Sequence, residues 1–157
     1  MLIHLLRTLP PRQTVRLTTR FDEKLREAFS HLIAIDSEPG MLNDLWWKQV
    51  KLPRKFGGMH LRSGALTGAA QYAQSVVKTA PDVLKIIGDS YDPKIIIERD
   101  AKRVLDTTLG PQTKLDVAQV VQNDATALVE GRKLSLAQWC ELVEARRIFE
   151  HFSPNEK

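Results

Sequence analysis

The chain has 157 residues, 43% hydrophobic and 27% charged, enough for one domain with a core and incompatible with wholesale disorder. Its single cysteine, Cys140, excludes an internal disulfide framework and a cysteine-based zinc site, and fits a reducing, intracellular compartment. The net charge of +4 is uneven: residues 1–62 carry 11 Lys/Arg against 6 Asp/Glu and residues 63–157 carry 12 against 13, so the first two-fifths holds the basic excess and points to an anionic partner.

Helical periodicity dominates the chain. Leu2–Thr8 reads as the end of a helix stopped at Pro10–Pro11. A long helix is expected from Arg12 to Ile33, with Phe21, Leu25, Ala28, Phe29 and Leu32 forming one buried stripe. Ser37–Gly40 reads as a loop, and Met41–Val50 as a short helix offering Leu42, Leu45 and Trp46 to the core. After Leu52–Pro53 comes a basic, glycine-containing loop. Ser63 is a candidate N-cap for a helix over 64–78, rich in small residues. Ala80–Pro81–Asp82 opens another helix to Ile87, and a further one runs from Lys94 to Leu109, ended by Gly110–Pro111. Lys114–Asn123 reads as helical. The last helix covers Leu136–Phe152, with Ser135 as N-cap and Leu136, Trp139, Cys140, Leu142, Val143 and Phe149 as apolar surface. Strand signals are scarce, and Ile95–Ile96–Ile97 enters a charged helical pattern. The expected class is all-α, a compact bundle of about seven or eight helices with short loops, divided into a basic region, 1–78, and a helical extension, 79–157, packed on it.

No apolar run approaches the ~20 residues that cross a bilayer, so no membrane role is expected. Met1–Leu6 is too short an apolar segment for a signal peptide. Nor does any pattern describe an active site. His4, His31, His60 and His151 show no metal-ligand spacing, no acidic pair would hold two metal ions, and no phosphate loop or nucleophile elbow occurs. Cys140 reads as a small core residue. No catalytic residue, metal or cofactor is expected.

Three features bear on binding. Arg12, Arg16, Arg20 and Lys24 recur every four residues, which sets them in one row about 6 Å apart. Such a row either faces a phosphate backbone, with Thr14, Thr18 and Thr19 adding hydroxyl contacts, or is a solvated face offset by Asp22, Glu23 and Glu27. The segment Lys51–Arg62 carries Lys51, Arg54, Lys55 and Arg62 around Gly57–Gly58. It either holds phosphate close to the helix N-terminus capped by Ser63, or is a turn that tucks Leu52, Phe56, Met59 and Leu61 into the core. Trp46–Trp47 diverge by about 100° on a helix, so one of them is partly exposed, for base stacking or simply for packing. Arg146–Arg147 are expected to lie over apolar surface.

Five pieces in order resemble the segment just C-terminal to the palm in reverse transcriptases of non-LTR, LINE-type retrotransposons. They are Leu5-Leu6-Arg7-Thr8-Leu9-Pro10-Pro11, Phe21-Asp22, Trp47-Lys48-Gln49-Val50-Lys51-Leu52-Pro53, Arg54-Lys55-Phe56-Gly57-Gly58-Met59-His60-Leu61-Arg62-Ser63, and the helix bearing Ala69, Ala70, Tyr72, Ala73 and Ser75. The resemblance covers about residues 1–78. His60 replaces the third glycine of the loop, and Gly64 stands where alanine is typical. The resemblance implies a thumb-like helical region whose Arg12, Arg16, Arg20, Lys24, Lys51, Arg54, Lys55 and Arg62 contact the backbone of an RNA–DNA or DNA duplex, with Gly57 and Gly58 permitting close approach. The catalytic aspartates of such polymerases lie upstream, and this chain has no aromatic-Ala-Asp-Asp motif. It is therefore not an enzyme on its own but part of a larger or split RNA-directed DNA polymerase, partnered by a palm and fingers segment, or a remnant of one. The alternative is a helical protein-interaction domain, or an inactive relic, without nucleic-acid binding.

Overall fold

The computed structural model of the chain describes residues 2–33, 44–111 and 113–152. The expected loop Ser37–Gly40, with Met41 and Leu42, lies outside the described residues. Eight α-helices and one two-stranded sheet occur among them: α1 (Leu2–Thr8), α2 (Pro11–Leu32), α3 (Asp44–Lys51), α4 (Gly64–Ile87), α5 (Pro93–Asp100), α6 (Lys102–Leu109), α7 (Val117–Gln122), β1 (Thr126–Val129), β2 (Arg132–Ser135) and α8 (Leu136–Phe152). A 310 turn, Arg54–Phe56, follows α3, and another, Gly88–Ser90, follows α4. The fold is mostly helical, as the periodicity requires.

The helix α4 is the central element, in contact with α1, α2, α5, α6 and α8. Its small residues make this possible. A Cβ on Gly68 would come within 3.3 Å of the Leu6 side chain and 4.0 Å of Thr18, so α1 and α2 lie close against its N-terminal half. Farther along, Ala69, Ala70, Ala73, Val76 and Val77 meet Ile97, Ala101, Leu105, Val117, Val120, Leu136 and Cys140 in the main core. Smaller clusters form around Phe29, Trp47 and Val50, and around Leu52, Ala145 and Ile148.

The start of α4 is fastened to α2 by a buried carboxylate. Asp22 accepts hydrogen bonds from the Ser63 hydroxyl, from Gly64 N–H at 3.0 Å and from Ala65 N–H at 3.4 Å. Ser63 also caps the helix as expected, accepting from Leu66 N–H at 3.1 Å. A carboxylate here satisfies donors that no helical carbonyl can reach and sits at the positive end of the macrodipole.

That contact turns α2 over relative to the expected stripe. Its buried positions are Pro11, Thr14, Thr18, Asp22 and Phe29, with Leu25 half-buried. Phe21 is 41% exposed, Leu32 is 82% exposed and Ala28 is exposed, so these three positions of the expected stripe lie on the flank, while Phe29 is buried and Leu25 half-buried as expected. The inward threonines spend their hydroxyls on backbone carbonyls one turn back, Thr14 on Pro11 and Thr18 on Val15, which lets a polar face pack. They are accordingly not available to phosphate. Thr19 stays exposed but also donates to the Val15 carbonyl.

Other boundaries move for identifiable reasons. The helix expected to stop before Ala80 continues through Pro81 to Ile87, so the expected division at residues 78–79 falls inside α4. Pro81 sits on the exposed side, where its ring displaces no core side chain. The helix expected over Lys94–Leu109 breaks at Ala101 (φ −121°, ψ −30°) into α5 and α6. Asp100, just before the break, is buried between Tyr72, whose hydroxyl donates at 3.2 Å, and the Arg99 guanidinium at 2.7 and 2.9 Å, which holds its carboxyl below the usual range. The expected helix Lys114–Asn123 shortens to α7, because Asp116 caps it by accepting from Ala118 and Gln119 N–H.

The hairpin β1–β2 is not foreseen by the periodicity. It pairs Thr126 with Ser135 and Val129 with Arg132 around Glu130–Gly131, both at positive φ (50° and 74°), as a type I′ turn requires. Glu130 pairs with Arg146 of α8, and Arg147 pairs with Glu144 at 3.6 Å, so these arginines serve ion pairs rather than simply covering apolar surface. Ser135 begins α8 with a reciprocal box: its hydroxyl accepts from Gln138 N–H, and Gln138 Oε1 accepts from Ser135 N–H. Leu136, Cys140, Ala145 and Ile148 face inward, while Phe149 is exposed. Burial pushes the Cys140 thiol up to about 12, in keeping with a core residue.

Substituting Asp22→Ala strands the Ser63 hydroxyl and the Gly64 and Ala65 N–H groups. The expected loss is about 2–3 kcal/mol in urea denaturation, with Asp22→Asn milder because one acceptor survives. A loss under about 0.5 kcal/mol, the range of ordinary surface changes, would show that this cap is not structural.

Candidate nucleic-acid interface

The four cations of the α2 row are exposed. At 3.6 residues per turn, Arg12, Arg16, Arg20 and Lys24 fall on the far side of the helix from Thr14, Thr18, Asp22 and Phe29, along its solvent crest. Arg12, Arg16 and Arg20 make no hydrogen bond or ion pair among the described residues, although Arg12 exerts a pull on Asp100. Lys24 is paired with Glu27 at 2.5 Å. Three consecutive guanidiniums of one helix ridge are therefore free to meet an anion.

The loop is more heavily used by the protein itself. Gly57 ends the 310 turn in the left-handed region (φ 75°). Gly58 is a glycine for an internal reason, because a Cβ there would lie 2.1 Å from the Leu52 carbonyl oxygen. His60 also takes a left-handed conformation (φ 64°), at the position where the resembling loops carry glycine. Leu52 is buried and Phe56 and Leu61 are half-buried, but Met59 is exposed and not tucked into the core.

The loop cations are not equivalent. Lys51 is half-buried, with Nζ 5.8 Å from the Trp47 ring centroid, and burial lowers its pKa despite the pull of Asp22 and Glu144. Lys55 lies over Phe56 at 4.8 Å. Arg54 is exposed, and its side chain makes no hydrogen bond or ion pair among the described residues. Arg62 donates from Nε to His60 Nε2 at 2.8 Å. At the N-terminus of α4 the N–H groups of Gly64 and Ala65 are already taken by Asp22, an anion of the chain itself, so any phosphate held by this loop would rely on its side chains.

Of the two tryptophans, Trp47 is buried (5% exposed) and Trp46 is 40% exposed, the reverse of the expected assignment. Both contact Phe29, with ring centroids 6.1 Å (Trp46) and 5.9 Å (Trp47) away.

Arg62, His60 and Lys55 act on Glu141 of α8, whose carboxyl is raised by burial and only partly brought back by these neighbours. Glu141, with Arg7, Arg62, Gln71, Gln74 and Gln138, lines a polar cavity of about 180 Å3. Sequence reading misses this constellation, which is assembled from α1, the loop, α4 and α8. The one available signal is that Glu141 shares the inward face of α8 with Cys140, Ala145 and Ile148. A larger, open hollow of about 560 Å3 lies beside Gly110–Asp116. Among the described residues, no group of three His, Cys, Asp or Glu could hold a metal ion, and no helix is long and apolar enough to cross a membrane.

Comparison with known proteins finds no matching family model, no matching curated protein and no matching solved structure.

If Gly58 serves internal packing, Gly58→Ala lowers the thermal midpoint by several degrees, corresponding to about 1–3 kcal/mol. Unchanged stability with weakened duplex binding would instead make the glycine a contact residue.

Proposed function

We propose that the chain is a non-catalytic helical module that binds the backbone of a nucleic-acid duplex without sequence preference. The observation that carries this reading is the crest of α2, where Arg12, Arg16 and Arg20 stand exposed opposite the buried face and, among the described residues, unpaired. A row of cations at about 6 Å repels itself in isolation, and a line of phosphates compensates it. Arg54, exposed and without an ion pair, is the loop cation best suited to extend the contact, followed by Lys55 and Arg62. Lys51 contributes least, since its ammonium is partly withdrawn over Trp47. The resemblance of residues 1–78 to the thumb-like region of LINE-type reverse transcriptases supports a duplex as the partner, with the chemistry supplied by a palm and fingers segment elsewhere.

Reversing Arg16→Glu and Arg20→Glu should cut affinity for an RNA–DNA hybrid at least tenfold at low salt and reduce the slope of log affinity against log salt by about 2, while the melting temperature stays within a degree or two. Fluorescence anisotropy across a salt series measures both. Affinity unchanged at low salt would remove the reading.

A helical protein-interaction domain is the second reading, favoured by the exposed flank Leu17, Phe21 and Leu32 on α2. If that flank is the working surface, Phe21→Ser with Leu32→Ser abolishes concentration-dependent association in sedimentation velocity. A chain that stays monomeric and binds duplex with both serines present excludes it.

A further inference from the structure

The polar cavity between α1, α4 and α8 contains a carboxylate that, among the described residues, the protein does not pair. Glu141 is 8% exposed and makes no hydrogen bond or ion pair among the described residues. Gln71 donates from Nε2 to Thr67 Oγ1 at 3.0 Å, and its Oε1 is buried without a partner. The Thr67 hydroxyl is itself spent on the Ser63 carbonyl, so it cannot answer either one. The Gln71 oxygen is closed off within the packing, whereas the Glu141 carboxylate lines the cavity and is open to donors that a ligand brings. The volume of about 180 Å3 amounts to roughly six waters at about 30 Å3 each, and is below the ~300–1,000 Å3 of sites for drug-sized ligands. It accommodates one planar ring system, with the rest of the ligand at the mouth.

The surrounding charge narrows the ligand further. Among the described residues, Arg7 is exposed and without an ion pair and Arg62 keeps its terminal guanidinium nitrogens free, and Lys55 lies near enough to act on Glu141. These cations outnumber the one carboxylate. A cationic ligand is disfavoured, and a ligand with a neutral donor edge and an anionic tail is favoured. Among nucleobases, only guanine sets two donors side by side, N1–H and N2–H2, to match the two oxygens of a carboxylate. Adenine would turn an acceptor nitrogen toward Glu141. A phosphate, with about −1.5 to −2 charges as a monoester, answers the arginines.

We propose that this cavity is a guanine-nucleotide site, in which Glu141 accepts from N1–H and N2–H2 of the base and Arg7 and Arg62 hold its phosphate. The site goes beyond backbone binding by the α2 crest and shares only loop cations with it. The base comes from a free nucleotide or from an unpaired guanine in a strand.

Calorimetric titration of the full chain with GMP, AMP and guanosine tests it. GMP should bind at least tenfold tighter than AMP, and guanosine more weakly than GMP. Glu141→Gln, which trades a buried charge for a neutral amide of the same shape and keeps the cooperative thermal transition, should erase the guanine preference. Arg62→Ala should weaken GMP and leave guanosine unaffected. If GMP is silent but a single strand with one unpaired guanine outbinds its adenine counterpart, and Glu141→Gln removes the difference, the base is strand-borne. No guanine preference in either form, or a preference that survives Glu141→Gln, overturns the proposal. Duplex affinity is read separately across salt, so failure of one activity does not decide the other.

Discussion

The structure depends on one buried carboxylate. Asp22 reaches from the middle of α2 to the first N–H groups of α4 and to the Ser63 hydroxyl. It joins a side chain and a helix start 41 or more residues apart in sequence, so it sets both the rotation of α2 and the point where the loop gives way to α4. Once Asp22 points inward, helical geometry requires Thr14, Thr18 and Phe29 to do the same, and Arg12, Arg16 and Arg20 to point outward. The basic crest is thus a consequence of where one acid is buried. The same carboxylate excludes an external anion from the N-terminus of α4.

A polar inward face can pack only because both sides of the seam cooperate. Thr14 and Thr18 satisfy their hydroxyls within their own helix, and Gly64, Thr67 and Gly68 of α4 present little bulk. The backbones approach closely, and the gain comes from packing density rather than from large apolar side chains. The large apolar side chains of α2 then have nowhere inward to go except at its far end, where Phe29 meets Trp47 and Val50. Leu17, Phe21 and Leu32 remain on the flank.

The cations separate into two populations with different chemistry. Arg12, Arg16 and Arg20 on the α2 crest are exposed and, among the described residues, without an ion pair, suited to a long, uniformly charged partner. On the loop, Lys51 is engaged with Trp47, Lys55 with Phe56 and Arg62 with His60, Arg54 is exposed, and Lys55 and Arg62 act on a buried acid on α8. A composition count treats the two as one basic half. In three dimensions one is a helix crest, and the other sends Arg62 to the wall of a cavity.

The sequence by itself determined the helical class, the Ser63 and Ser135 caps, the stop at Gly110 and the alignment of Arg12, Arg16, Arg20 and Lys24 on one ridge. All of these follow from spacing or from interactions within a few residues. It did not determine which face of α2 is buried, because hydrophobic periodicity alone favours Phe21 and Leu32 and carries no record of an acid meeting a distant helix start. Nor did it reveal the β1–β2 hairpin, whose four-residue strands and Glu130–Gly131 turn are weak local signals stabilised by pairing and by α8. The cavity around Glu141 was decided by tertiary structure alone. Its acceptors come from α4 and α8 and its cations from α1 and the loop, and burial of a charge is a property of what surrounds it rather than of the residue that carries it.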